Sequence, residues 1–435
     1  MKIKLVGHAS ILAEIGGFSL LTDPWYSGKV FNDSWSLTPK LNIDYKEIEK
    51  AKYLWISHEH PDHLNFPTLS KFSDEFKDRV TVLFQQKNSD RVPNALRRLG
   101  FRNILNLKHR KILNLSDEVK VYCYQVGHLD SSLAIISNNG TLLNINDCTP
   151  SSTDLDIIMK DIGTIDIVLN QFSIAHYPGW ADYENKLSKM CNSKLDELLW
   201  THKKLETRWT LPFASFVYFC CNDNNFINKY SNTPEDVYKI LKDDSIILYP
   251  GESYSLGSSH DNQKSLSRYS EHYSNSSDLI FTDPHSSNLS DIKDKFNTFS
   301  EDIHEKYPKY LTRLLKPVIV RLYDLEKTLV YDIHRRRIKI IKSEIEADIE
   351  MHSQCLDFGF SNDWGFSTLT VGGRTKVIKN EKNWVRHRIF YSIRQSEIFL
   401  KMKHLLTPQT LHYFFERASG LFNQVYYKIK RTIDD

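Results

Sequence analysis

Short apolar runs, none longer than eight residues, crowd the first 255 or so positions. They are KIKLV, SILAEI, FSLLTD, KYLWIS, VTVLFQ, VKVYCYQV, SLAIIS, TLLNIND and IDIVLNQF, then SFVYFC and SIILYP. Runs this short, bounded by Gly, Pro, Asn and Asp, read as strands rather than buried helices. Several are almost continuously apolar, as expected when a strand is covered on both faces. Helical patterns fall between some of them, at 90–99 and over a longer stretch at 181–204. The pattern predicts an α/β fold in which two sheets pack face to face with helices outside, an αββα sandwich.

The chain has 435 residues, more than one compact core usually serves. The expected division is a first domain over 1–260, a loop-rich junction over 261–300 and a C-terminal α+β module over 301–435. In that module 302–329 reads as helix broken at Pro317. RIKIIK, IEADIEM, CLDFGF and STLTV read as strands, and 362–375 (NDWGFSTLTVGGRT) reads as strand–turn–strand. Stretches 384–404 and 408–433 read as helices, and the aromatics Tyr413, Phe414, Phe415, Phe422, Tyr426 and Tyr427 read as a core-facing stripe.

Charge excludes one class of function. With 57 basic and 54 acidic side chains the net charge is +3, so nucleic acid is not the expected partner. No apolar run approaches the ~18 residues of a membrane span, and the N-terminus lacks a cleavage-site pattern. Six cysteines without CxxC spacing read as reduced thiols, which predicts a cytoplasmic protein.

The chemistry concentrates at SHEHPDHLN, residues 57–65, directly after the run YLWI. In an extended segment alternate side chains share a face, so His58 and His60 point the same way. Pro61 turns the chain, and Asp62 and His63 converge from another direction. One metal ion is expected on His58 and His60 and a second on Asp62 and His63. Imidazole and carboxylate suit zinc, iron or manganese.

This HxHxDH cluster after an apolar strand resembles the metallo-β-lactamase superfamily. The resemblance implies further residues: Asp23 in LLTDPW, supporting a ligand histidine through a hydrogen bond; His128 in YQVGHLDSS, as a ligand; and Asp147 in LLNINDCTP, as a carboxylate bridging two metals. GHASILAEIGGFSLLTDPWYSGKVFNDSWSL, YLWISHEHPDHLNFPTL, NINDCTP and LPFASFVYF look like the catalytic portion of CMP-N-acetylneuraminate hydroxylase, over roughly residues 1–250. That family adds an N-terminal Rieske iron–sulfur domain, whose two-Cys, two-His ligand set is not expected in this chain. Superfamily hydrolases also carry a late histidine near a strand end, where this chain has Pro212-Phe213-Ala214-Ser215. His176, in a Gly/Pro loop, is the foremost replacement, with His260, Asn222, Asp223, Asn224 and Glu252 behind it.

The function expected first is a metal-dependent hydrolase. A metal-bridged hydroxide would attack an anionic ester, thioester, amide or phosphodiester, Asp62 would orient it and His176 or a nearby tyrosine would serve the leaving group. The alternative is a di-iron oxygenase of a nucleotide sugar or similar substrate, taking electrons from a separate ferredoxin or reductase. Arg335, Arg336, Arg337 and Arg374 are candidates for binding the anionic group of a nucleotide sugar or of a carrier-bound or coenzyme A thioester.

Overall fold

The computed structural model describes residues 1–87, 89–127, 129–180, 182–274 and 279–395. The expected ligand His128, the expected helix over 408–433 and its aromatic stripe lie outside the described residues. In chain order the first fifteen strands are β1 (Lys2–Gly7), β2 (Ser10–Ile15), β3 (Phe18–Thr22), β4 (Trp35–Leu37), β5 (Tyr53–Ile56), β6 (Thr81–Gln85), β7 (Asn103–Leu107), β8 (Ile112–Asn114), β9 (Val119–Val126), β10 (Asp130–Ser137), β11 (Gly140–Asn146), β12 (Ile167–Gln171), β13 (Trp209–Phe213), β14 (Val217–Phe219) and β15 (Ser253–Ser255). Seven form one sheet in the order β15-β1-β2-β3-β5-β6-β7, and six form a second in the order β13-β12-β11-β10-β9-β8. Hairpins join β1–β2–β3 and β8 to β11, while β3–β5–β6–β7 and β11–β12–β13 run parallel.

Strand periodicity explains the layering. Within β5, Trp55 faces the central core, which it shares with Leu5, Ile11 and Leu20 of its own sheet and Val121, Leu133, Leu142 and Ile167 of the other. Its neighbours Leu54 and Ile56 turn the opposite way, under Leu69, Phe76 and Leu96 of the flanking helices. On the second sheet Ala134, Leu143 and Val168 likewise face outward, toward Leu155 and Ile158 of the helix Ser152–Ile162. Each sheet is therefore apolar on both faces, and the αββα expectation holds. SIILYP departs from its expected strand: only Ser245 forms a bridge, to Thr210, although Ile246, Ile247 and Leu248 are buried in the central core.

A second core runs from Ile292 to Tyr391. It is built on a five-stranded sheet of β16 (Val318–Leu322), β17 (Lys327–Asp332), β18 (Arg337–Ile341), β19 (Ile349–Met351) and β20 (Lys376–Val377), in the order β18-β17-β16-β19-β20. Several sequence readings are corrected here. The stretch 302–329 is not one broken helix, because VIVRL and KTLVYD alternate with period two and form a hairpin. CLDFGF and STLTV are not strands but lie in the helices Ser353–Ser361 and Gly365–Val371. Their β-branched and aromatic residues favour strand, but a close helix crossing overrides that preference. A Cβ on Gly365 would stand 2.6 Å from the Phe358 carbonyl oxygen and 2.8 Å from the Gly359 Cα, so only glycine fits. The stretch expected to be loop-rich also carries the helix Asn262–Ser274, whose Leu266 and Tyr269 sit in the first core.

The two cores are tied together by backbone and buried side chains. Tyr177 N–H donates to Thr370 O (3.1 Å) and Val377 N–H to Gly179 O (2.6 Å). The amides of Asn32 and Gln354 bond reciprocally at 2.9 and 2.7 Å. Arg374, 2% exposed, ion-pairs with Asp223 at 2.6 Å and donates to Cys221 Sγ at 3.2 Å. It is therefore part of this junction rather than free to bind an anion. Arg335 and Arg336 pair with Asp332 and Glu301 beside the β17–β18 turn. Among the described residues no helix is long and apolar enough to cross a membrane.

Gly179 has φ +86°, and a Cβ there would lie 2.3 Å from the Thr375 carbonyl oxygen. Gly179→Ala is expected to destabilise the chain by about 2 kcal/mol through strain and the clash. A wild-type melting temperature for this variant in a thermal denaturation series would contradict the role given to that contact.

Candidate metal centre

Strand ends from both sheets meet at one rim of the sandwich, and the polar side chains collect there. Thr22 closes β3 and Asp23 follows it, completely buried, with φ +31°. Its carboxylate accepts from Ser57 N–H (2.8 Å), Ser57 Oγ (2.7 Å), Asn146 Nδ2 (2.6 Å) and His63 Nδ1 (2.9 Å). Ser57 follows β5 and Asn146 closes β11, so one carboxylate binds three strand ends together. Donation from His63 Nδ1 to a carboxylate leaves Nε2 as the free electron pair, facing inward. Ser57 Oγ gives its proton to Asp23 and so accepts from His58 Nδ1 at 3.0 Å, which likewise frees His58 Nε2. Asp23 thus hydrogen-bonds His63, and Ser57 and Asn146 share its carboxylate.

Three groupings converge in front of this frame: His58, His63 and Asp147; His58, His60 and Asp130; and His8, Asp62 and His63. His58 Nε2 lies 2.8 Å from His60 Nδ1. Asp147 Oδ2 lies 3.7 Å from His58 Nε2 and 3.5 Å from His63 Nε2, between the two halves of the cluster. Asp62 Oδ2 is 3.3 Å from both His63 Nε2 and His8 Nε2. Ligand atoms at about 2.0–2.1 Å around a tetrahedral ion stand about 3.3 Å apart, so these separations suit a shared cation.

Burial and charge point the same way. His58 and His63 are fully buried, Asp62 is 4% exposed, and His63 Nε2, Asp62 Oδ1 and Asp147 Oδ1 have no hydrogen-bond partner among the described residues. Each orphaned buried polar atom costs about 1–3 kcal/mol, a large share of a stability of about 5–15 kcal/mol. A divalent ion would offset that cost, and the donor set of imidazole and carboxylate fits zinc, iron or manganese. Burial depresses the His58 and His60 pKa values. It also opposes charge on His63, but Asp147, Asp62 and Asp23 outweigh it and raise that pKa well above the usual imidazole range. Burial would raise the Asp62 and Asp147 carboxyls too, yet nearby histidines hold both low. Burial, then Asp147, pushes Asp130 up to about 6.

The structure brings His58, His60, Asp62, His63 and Asp147 together, with Asp23 behind them. It does not bring His176 into any grouping. That residue is exposed, and its ring, crowded by protein and then by the charges of Lys194 and Arg388, has a pKa pushed down to about 4. The other replacements considered are engaged elsewhere. His260 Nε2 bonds Ile247 O (2.6 Å), Asn222 bonds Asp283, Asp223 pairs with Arg374, Asn224 bonds Ser34 O and Gly372 O, and Glu252 takes Tyr249 N–H, Ser265 and Arg268. Sequence reasoning missed His8 and Asp130. Each adjoins a quoted motif (GHAS, GHLDSS) at a strand boundary, which was the available signal.

Asp23→Asn would set an amide NH₂ against the ring of donors. Metal affinity is expected to fall about 10–100-fold, read by competition with a chromophoric chelator; unchanged affinity would remove Asp23 from the frame. A proton on His63 competes with the ion, so affinity should fall as pH drops from above the ordinary imidazole range. A flat affinity profile over pH 6–9 would contradict that competition.

Residues 2–130 match the family model described as "Beta-lactamase superfamily domain". The chain is 25% identical over 253 residues to a Mycobacterium tuberculosis protein named "Putative Rieske 2Fe-2S iron-sulfur protein", covering 55% of this chain and 48% of that one. It is 30% identical over 180 residues to cytidine monophosphate-N-acetylneuraminic acid hydroxylase of Asterias rubens, covering 40% of this chain and 26% of the relative. Thus the chain spans about half or less of the length of these curated relatives. Among solved structures it is similar to an isothiocyanate hydrolase from Delia radicum gut bacteria, at 14% identity and a TM-score of 0.43, over 59% of this chain and all of that one. The matched segment, residues 2–130, is thus similar to the β-lactamase superfamily domain, and it lies within a metallo-β-lactamase-like αββα fold.

Proposed function

We propose that the chain is an enzyme whose reaction takes place at two divalent metal ions held by His58, His60, Asp62, His63 and Asp147. The observation that carries this reading is the position of Asp147 Oδ2, 3.5 Å from His63 and 3.7 Å from His58, where one carboxylate can serve both ions. Asp130 Oδ1, 3.8 Å from His58 Nε2, adds a carboxylate on the His60 side. His128 belongs to the proposal as the ligand implied by the superfamily resemblance. The frame's contribution is orientation: Asp23 and Ser57 keep the protons of His63 and His58 on Nδ1, so both Nε2 atoms stay available. Phe31 packs edge-on against His60 and Trp25 against His8, so aromatic walls shield this side of the site from water.

Of the two chemistries such a centre supports, we favour oxidation. The named sequence relatives are a nucleotide-sugar hydroxylase and an iron–sulfur protein, and histidine with carboxylate suits non-haem iron. Bound iron would supply the activation of O₂. Converting a C–H bond to C–OH with O₂ consumes two electrons and two protons and releases water, so a separate ferredoxin or reductase is part of the proposal. An anionic nucleotide sugar is the substrate class to test first. Hydrolysis of an anionic ester, thioester, amide or phosphodiester is the second reading, favoured by the match to the β-lactamase-type family model. There zinc would supply Lewis acidity and lower the pKa of water. His176 is kept out of the chemical step in both readings, because its charged neighbours are Lys194 and Arg388 rather than the cluster.

Elemental analysis of protein purified without added metal or chelator tests the proposal. Two ions per chain are expected. Iron with an O₂-dependent change in the visible spectrum supports oxidation, and zinc supports hydrolysis. His58→Ala and His60→Ala should each lose at least one ion and reduce turnover more than 100-fold. Full metal content in both variants would sink the assignment.

A further inference from the structure

We infer that His8 is a ligand of the second metal ion and fills the place for which the sequence offered no late histidine. The inference rests on the two-ion reading above. On the His60 side, His58, His60 and Asp130 stand together; on the other side, among the described residues, Asp62 and His63 have each other and the shared Asp147 and need a further donor. His8 supplies that donor. Its Nε2 lies 3.3 Å from Asp62 Oδ2, the same separation that Asp62 Oδ2 keeps from His63 Nε2, and the His8 and His63 rings are 5.9 Å apart and nearly perpendicular. Two imidazole nitrogens thus flank one carboxylate oxygen at the spacing that neighbouring ligands adopt around one cation.

The residue is built into place. His8 and Ala9 form the two-residue turn between β1 and β2, just after the register shift between Leu5 and Gly7. Ala214 N–H donates to His8 O at 2.9 Å, Thr22 Oγ1 donates to Ala9 O at 2.9 Å, and Ile11 N–H donates to Thr22 Oγ1 at 3.0 Å. Ser10 Oγ and Tyr26 Oη bond at 2.8 Å on the next residue. The first of these bonds is informative: the backbone after β13, where Ala214 and Ser215 stand, holds the turn that carries His8. Ser215 itself is occupied, its Oγ accepting from Phe172 N–H and Ser173 N–H. The segment that lacks a ligand side chain therefore positions one from the neighbouring hairpin.

A purely structural role explains the burial poorly. His8 is 2% exposed, and its Nδ1 has no hydrogen-bond partner among the described residues. Trp25 covers the ring edge-on at 5.5 Å, which shields the imidazole without satisfying it. Two buried imidazole nitrogens, His8 Nε2 and His63 Nε2, each 3.3 Å from the same buried Asp62 oxygen, form a costly arrangement unless a cation sits among them.

The test is a Co²⁺ titration of chelator-treated full-length chain, followed by visible absorption, with wild type, His8→Ala and His8→Gln. Gln keeps most of the side-chain volume and reads the site if Ala fails to fold by circular dichroism. Wild type should bind two equivalents. The His8 variants should bind the first with wild-type affinity and the second at least tenfold more weakly, with altered d–d bands for that ion only. Two equivalents bound as tightly as in wild type would overturn the inference, as would equal weakening of both ions. His58→Ala is the internal control and should weaken the other ion. Wild type binding fewer than two equivalents would instead remove the two-ion reading, and the inference with it.

Discussion

One buried carboxylate organises this molecule's working end. Asp23 accepts four hydrogen bonds from Ser57, Asn146 and His63, and each donor belongs to a different turn or strand end. Ser57 Oγ reinforces the same junction, accepting from Asn146 Nδ2 at 3.0 Å while it donates to Asp23. An ionised group in this position is tolerable only because every donor is satisfied by it, and charge-assisted bonds of this kind are about twice as strong as neutral ones. The left-handed φ of Asp23 and of Asn146 (+66°) shows that the backbone bends to meet this arrangement at two of the three corners. Ring tautomers and the arrangement of the rim follow from it.

The fold of the first domain was legible because its strands are doubly buried and its turns are rich in Gly, Asn and Asp. KIKLV, YLWI and TLLNIN announce themselves by apolar content alone. The cluster at 58–63 was legible because its histidines and Asp62 are close in sequence. His8 and Asp130 were not, because a lone histidine after a strand and a lone aspartate before one join a cluster only when two sheets bring them together. His176 misled for the opposite reason: a histidine in a Gly/Pro loop after a strand has the right local context, but its loop leads toward Lys194 and Arg388. In the C-terminal module the sequence signal failed where tertiary packing overrode propensity. FGFSNDWGFSTLTV looks like strand, yet Gly359 and Gly365 let two short helices meet at backbone distance.

The second core reaches the first through segments close to the site. Gln354 grips Asn32, Asn224 Nδ2 donates to Gly372 O, a Cβ on Gly372 would meet Ser34 Oγ, and Phe31 in the same short loop touches His60. The same face buries Trp35, Tyr177 and Phe219. The junction is thus a packed apolar surface with a few fixed polar pairs, Arg374–Asp223 among them, and it supports one wall of the site. An arginine that sequence reasoning offered to a substrate is instead spent on holding two cores in register.

The donors of the cluster are scattered from position 8 to position 147 and come from both sheets. No fragment that contains only one sheet can assemble them, and an unfolded chain presents at most the local set at 58–63. Ions held there, as proposed above, would be ligands of the finished sandwich and would pull the folding equilibrium by mass action. The resistance of this chain to heat or denaturant would then be a property of its surroundings as much as of its sequence. It would rise with free metal in the solution and fall in a cell that withholds it, so metal scarcity would lower the chain's abundance through unfolding as well as its activity.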